Sequence, residues 1–200
     1  MTPEAVVWGV ASRVHVGEVA SGDDFVARAV AGGFVASVFD GLGHGEEAAV
    51  AARICRAVVG ELVRDNVTSL IAECHVRLTD TRGAAVSIAL LDTRQESLSW
   101  AGVGNVQGIL WRAHPEGERR AERLLLRNGV VGLNLPSLRA ETVRVRPGDT
   151  LVLTTDGIRE DFEADIEHSP QQIADAILRD HGKTTDDALV LAVRYLGGDR

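Results

Sequence analysis

Two stretches of this chain, Ala84 to Leu91 and Ala188 to Tyr195, are apolar at almost every position and leave no polar face for water. A strand built that way has to be covered on both sides. In a parallel sheet the cover comes from crossover helices, and the sequence alternates strand, helix, strand. That alternation is absent here. Val6 to Val10, Asp24 to Val30 and Phe34 to Phe39 read as successive strands, with Gly32-Gly33 turning the chain between the last two. Ala84 to Leu91, Leu98 to Val103 and Val106 to Trp111 form a second run, and Thr150 to Thr155 is a further strand. In Thr142 to Arg146 the alternation is clean, so Val143 and Val145 are expected to face a core and the arginines water. Helices come in blocks. One is expected from about Glu46 to Arg64, where Ile54, Val58 and Leu62 recur every four residues, and another from Thr68 or Ser69 to Leu78. A third opens at Ser169-Pro170-Gln171-Gln172, a capping box with proline at the first helical position, and ends near His181-Gly182. The expected fold is α+β, a four-layer α-β-β-α sandwich of two mainly antiparallel sheets flanked by helices.

Two hundred residues suit a single domain, taken as 1–200, and 45% apolar residues are enough to fill its core. Lys+Arg number 21 against 29 Asp+Glu, a net charge of −8, and Lys183 is the only lysine. That balance argues against nucleic acid or an anionic membrane as partner, because phosphate backbones need a basic footprint. No apolar run is long enough to span a membrane and the first twenty residues lack a signal-peptide pattern. Cys55 and Cys74 stand apart with no paired spacing. A cytoplasmic protein with reduced thiols is expected. The segment His114 to Arg120, with Pro115 and Gly117 among charges, reads as a loop tip.

The chemistry is carried by acidic residues at strand edges. Ser21-Gly22-Asp23-Asp24 precedes a strand, Phe39-Asp40-Gly41 ends one, Thr155-Asp156-Gly157 ends another and Thr185-Asp186-Asp187 precedes the last. Any one Asp-Gly pair is most simply a turn. Strand ends far apart in sequence can nonetheless meet in space, and carboxylates that meet repel one another unless cations neutralise them. Oxygen-only ligation suits Mg2+ or Mn2+. No Gly-x-Ser-x-Gly elbow offers a nucleophile, and neither cysteine sits in a glycine loop.

With their flanks these segments resemble the PPM family, the metal-dependent protein phosphatases of the 2C type, and within it the bacterial SpoIIE/RsbX-like branch. The carrying segments are Ser21-Gly22-Asp23, Val38 to Gly45 (Val-Phe-Asp-Gly-Leu-Gly-His-Gly), Gly83 to Leu91, Ala101 to Asn105, Pro147 to Ile158 and Asp186 to Val190. They keep the family's order over most of the chain, and the absence of room for an added domain makes it most similar to the stand-alone RsbX type. The resemblance implies a phosphatase acting on phosphoserine and phosphothreonine through metal-activated water. It implies two ions, Mn2+ or Mg2+, with Asp40 bridging them and the Gly41 carbonyl completing one shell. Asp156 and Asp186 would serve the second ion, and Asp23 would hold a water of the first. Two cations about 3.5–4 Å apart can activate a water and clamp both oxygens of an in-line displacement. Asp40 and Asp156 are thus the expected catalytic residues. The partners implied are phosphorylated proteins of the antagonist and stressosome type, and a monomer is expected.

The last motif reads Asp-Asp-Ala-Leu-Val against the family's Asp-Asn-Ile-Thr-Val. That frame sets Asp186 on the metal and Asp187 on the asparagine, where it would accept a hydrogen bond from a backbone amide. The phosphate-binding arginine of eukaryotic members has no match in context, so that role is not carried onto Arg13. His44 reads as a solvated residue at a loop end, and His15, His75, His114, His168 and His181 as surface or structural. Competing functions fit less well. A nucleotide-binding anti-sigma kinase needs an asparagine-bearing helix upstream of the glycines, and no asparagine precedes Asn66. A dinucleotide site needs Gly-x-Gly-x-x-Gly inside a β-α-β unit, and the chain has Gly-x-Gly-x-Gly without one. A catalytically degenerate binding module would have lost the bridging aspartate, which is present.

Overall fold

The computed structural model describes residues 5–62, 66–113 and 120–198. The chain runs β1 (Val6–Arg13), β2 (Asp23–Val30), β3 (Gly33–Gly41), α1 (Gly45–Glu61), α2 (Val67–Arg77), β4 (Ala84–Asp92), β5 (Ser97–Val103) and β6 (Gln107–Arg112). It continues through β7 (Arg120–Arg123), β8 (Leu126–Arg127), β9 (Glu141–Arg144), β10 (Thr150–Thr154), α3 (Pro170–His181) and β11 (Ala188–Tyr195). One sheet has the order β1-β11-β10-β6-β7, the other β2-β3-β4-β5-β8, with β9 also pairing β5. Each of these pairings is antiparallel except β5–β8.

Strand alternation builds the layers. Phe34, Ala36 and Val38 of β3 face the other sheet and join Ala89, Trp100, Leu110, Leu153, Leu189 and Leu191 in the cluster between the sheets. Val35 and Phe39 point the opposite way, onto Ala52, Cys55 and Val59 of α1 and Ile71 and Cys74 of α2. In the first sheet Val152, Val190 and Ala192 turn outward onto Ile173, Ala174 and Ile177 of α3. The doubly apolar strands β4 and β11 are thus covered on both faces, as the α-β-β-α expectation requires. Each large side chain so buried contributes about 1.5–3 kcal/mol, which makes the strand register hard to slip.

Local signals held where they were strong. Ser169 accepts from the Gln172 N–H and the reciprocal bond is present, a complete capping box before Pro170. Val145 is buried, Val143 packs at the edge of the inter-sheet cluster, and Arg144 and Arg146 are exposed. The first helix corrects its expectation: it ends at Glu61 with Leu62 as its C-cap, and Arg64 lies outside the described residues. Of the expected loop His114 to Arg120, residues 114–119 lie outside them too, and Arg120 already belongs to β7. β7 and β8 had no sequence signal, since Arg-Ala-Glu-Arg is exposed throughout and β8 has two residues. No described helix is long and apolar enough to cross a membrane.

Candidate active site

Asp23 opens β2 and Asp40 is the last residue but one of β3, and the antiparallel register sets the two opposite each other. Both fall on the inward phase of their strands, continuing the rows Phe25–Ala27 and Phe34–Ala36–Val38. In the facing sheet β10 ends at Thr154 beside the start of β11 at Ala188, so Asp156 and Asp186 emerge at the same end of the sandwich. Asp40, Asp156 and Asp186 line one groove of about 360 Å3 with His15, Leu42, Gly43, His44, Asn105 and Thr185.

Both Asp-Gly corners are dictated by close backbone approach. A Cβ on Gly41 would lie 2.0 Å from the Ala48 carbonyl oxygen in the first turns of α1, and one on Gly157 1.8 Å from the Asp187 carbonyl oxygen. Neither position admits a side chain without displacing backbone, that of α1 at Gly41 and that of Asp187 at Gly157.

The groove is electrostatically unbalanced. Burial, and then the charges of Asp156, Asp186 and Asp187, push the Asp40 carboxyl from 3.8 up to about 7, against a hydrogen bond from Asn105. Burial and the neighbouring Asp40 raise Asp23 well above the usual carboxylate range, although Thr155 Oγ1 donates to its Oδ2 at 2.8 Å. Asp156 is also raised, by burial and then by Asp186, with Lys183 and Asn105 opposing. Asn105 Nδ2 donates to Asp156 Oδ2 at 2.7 Å.

Asp187 is of another kind. It is buried, accepts from the His15 N–H and the Gly22 N–H at 2.7 Å each, and so ties the β1–β2 connection to the start of β11. The accepting role expected from the motif frame is the one it has.

Among the described residues no group of three or more carboxylate, imidazole or thiol side chains forms a closed metal cage. The carboxylates act on one another across the groove instead of converging on one point. The donor set still fits a hard divalent cation. It is all oxygen, and Mg2+ keeps several waters while taking one or two carboxylates, so an all-protein cage is not what such an ion requires. Asp23 opposite Asp40 can stay ionised only beside positive charge.

Two groove residues escaped the sequence reading. His15, expected at the surface or in a structural role, is half-buried and lines the groove; an isolated histidine on a turn has no local signal of that. Asn105 belongs to the Ala101–Asn105 segment, and its place after Gly104 at a strand end is the one local sign of its role beside Asp156. His44 is solvent-exposed as expected, the N-cap of α1, with no cap bond from its side chain and its Nδ1 2.7 Å from Glu18 Oε1.

Comparison with known proteins places the family and the fold. The family model described as Stage II sporulation protein E (SpoIIE) matches residues 31–196. Phosphoserine phosphatase RsbX of Bacillus subtilis (strain 168) is 28% identical over 142 residues, 71% of this chain and 69% of RsbX. A solved structure described as "The bacterial stressosome: a modular system that has been adapted to control secondary messenger signaling" superposes with a TM-score of 0.87 at 28% identity, covering 96% of this chain and 100% of that one. RsbX in complex with magnesium superposes at 0.84 with 22% identity over 98% of both chains. The PP2C phosphatase domain of SpoIIE from Bacillus subtilis does so at 0.80 with 20% identity, over 98% of this chain and 64% of that one, and these two establish the fold. With most of its length matched in this way, the chain belongs to the SpoIIE family and has the fold of the SpoIIE PP2C phosphatase domain.

Proposed function

We propose that this chain is a metal-dependent protein phosphatase that removes phosphate from phosphoserine or phosphothreonine of folded stress-signalling proteins, of the stressosome and anti-sigma-antagonist kind, in the bacterial cytoplasm. Most of the support comes from one observation: Asp23 and Asp40 are paired across two strands, beside Asp156 and Asp186, without enough positive charge to keep them ionised. Asp40 would bridge two Mg2+ or Mn2+ ions, the Gly41 carbonyl would complete one shell, Asp156 and Asp186 would hold the second ion, and Asp23 would act through water. Such ions, when bound, supply a water acidic enough to attack at neutral pH and a clamp for the attacking and leaving oxygens. The chain's own part is orientation. Thr155 holds Asp23 and in turn accepts from the Leu189 N–H at 2.9 Å, Asn105 holds Asp156, and Asp187 fixes the loops around them. Retention of Asp40, Asp156 and Asp186 speaks against a degenerate binding module. One domain, 1–200, acting as a monomer on a docked protein partner, completes the reading.

The test uses the full chain with a folded phosphorylated stressosome protein as substrate. Hydrolysis should need added Mn2+ or Mg2+, stop with EDTA, and run with much lower kcat/KM on a short phosphopeptide, which offers little docking surface. Full activity after EDTA treatment would rule the metal out.

A further inference from the structure

The phosphate that this reading brings to the groove is an anion, and three of the side chains that line the groove are carboxylates. The lining residues able to carry positive charge are His15 and His44; no arginine or lysine lines it among the described residues. The cations beside the groove already have partners: Arg82, next to Gly43, pairs with Glu47, Arg13 donates to the Lys183 carbonyl, and the Lys183 ammonium donates to the Asp156 backbone carbonyl and acts on the Asp156 carboxylate.

Both histidines are held from behind. The backbone N–H of His15 is fixed by buried Asp187, on the segment that leads into β11. Its ring Nδ1 is buried without a hydrogen-bond partner, so Nε2 is the nitrogen it can offer to the groove. Buried polar atoms without partners are uncommon and ask for an explanation. His44 stands at the N-cap of α1 but spends its Nδ1 on Glu18. A carboxylate only accepts, so Nδ1 carries the proton of that bond, and it is the imidazolium form that has an Nε2–H left to donate to an anion. The two rings lie 6.4 Å apart between centroids, tilted by 45°.

We propose that His15 and His44 form a two-sided clamp for the substrate phosphate, each presenting its Nε2 edge, with Asp187 and Glu18 as positioning residues behind them. The clamp rests on the phosphatase reading and adds to it the side chains that select a phosphate group in an acidic groove.

The experiment uses the metal-loaded full chain with inorganic phosphate as probe, followed by calorimetry and as competitive inhibition of p-nitrophenyl phosphate hydrolysis. His15→Gln and His44→Gln should each weaken phosphate binding about tenfold, the scale of one hydrogen bond to a charged group, and the double variant more. KM should rise more than kcat falls, and Mg2+ affinity should stay unchanged. Glu18→Gln should weaken phosphate binding less than His44→Gln. Should His15→Gln fold poorly, exposed His44 and Glu18 carry the same test. Unchanged phosphate affinity in the double variant overturns the clamp. So does a fall in Mg2+ affinity in step with it, which would place the histidines in the metal shell. If the wild type hydrolyses nothing, the phosphatase reading fails, and the phosphate titration still decides the clamp.

Discussion

Asp149 and Asp40 stand at opposite ends of the same layer between the sheets, Asp149 buried and Asp40 half-buried at the groove. Asp149 is supplied with donors: the Arg112 guanidinium at 2.9 Å, the Ala113 N–H at 2.9 Å and the Arg146 N–H at 3.0 Å. Arg112 is itself held by Glu122, whose carboxyl its guanidinium pulls below the usual range. Asp40 has Asn105 as donor and Asp23, Asp156, Asp186 and Asp187 as carboxylate neighbours. Asp187, at the Asp40 end, is of the Asp149 kind, with two backbone N–H groups aimed at it. The structural carboxylates of this fold, Asp149 and Asp187, are thus buried and faced by two or more donors, whereas Asp23, Asp40 and Asp186 are half-buried and Asp156 is exposed.

The contrast can be broken at either end. Asp149→Ala should cost on the order of 3 kcal/mol of stability in urea unfolding, because it strips a buried partner from Arg112, and it should leave Mg2+ affinity intact. A negligible cost would put Asp149 outside the structural class.

Asp40→Asn should do the reverse. Its rate should fall at least about a hundredfold, the scale of a key electrostatic group, while the metal-free protein becomes more stable because a repelling charge is gone. The same repulsion has a pH signature. Between 3.8 and about 7 the folded form keeps a proton on Asp40 that the unfolded chain releases. Stability of the metal-free protein should thus be greatest below that window, fall as pH rises through it and level off above. Saturating Mg2+ should remove the slope, and Asp40→Asn should flatten it. Loss of activity and of stability together in Asp40→Asn would place it with Asp149.

The smallest effect separates two neighbours. Asp186→Ala should weaken one metal site and remove most activity with little change in melting temperature. Asp187→Ala should lose about 1–2 kcal/mol of stability, with a milder loss of activity that comes through His15 and Gly22. Metal titrations beside thermal melts distinguish them, and a metal site lost only in Asp187→Ala would move the frame by one residue.

How much of this was legible depends on the range of each signal. The capping box of α3 and the alternation around Val143 are local, and they read correctly. The end of α1 did not, since apolar spacing through Leu62 cannot say where the helix loses its packing partner. β7 pairs through its backbone while its side chains stay exposed, so hydrophobic pattern is silent about it. The Asp-Gly corners were visible as turns at strand ends. Their glycines, however, answer to Ala48 and Asp187, neighbours brought there by packing.

What the sequence determined by itself is the layer order and the chemistry at hand: doubly apolar strands demand cover on both faces, and four acidic strand ends supply oxygen ligands. Only the tertiary structure decided which carboxylates are starved of donors, which backbone amides Asp187 accepts from, and that His15 lines the groove. Those properties depend on groups that are distant in sequence, such as His15 and Asp187, and a charge or hydrogen bond across that separation exists only once the two sheets have closed on each other.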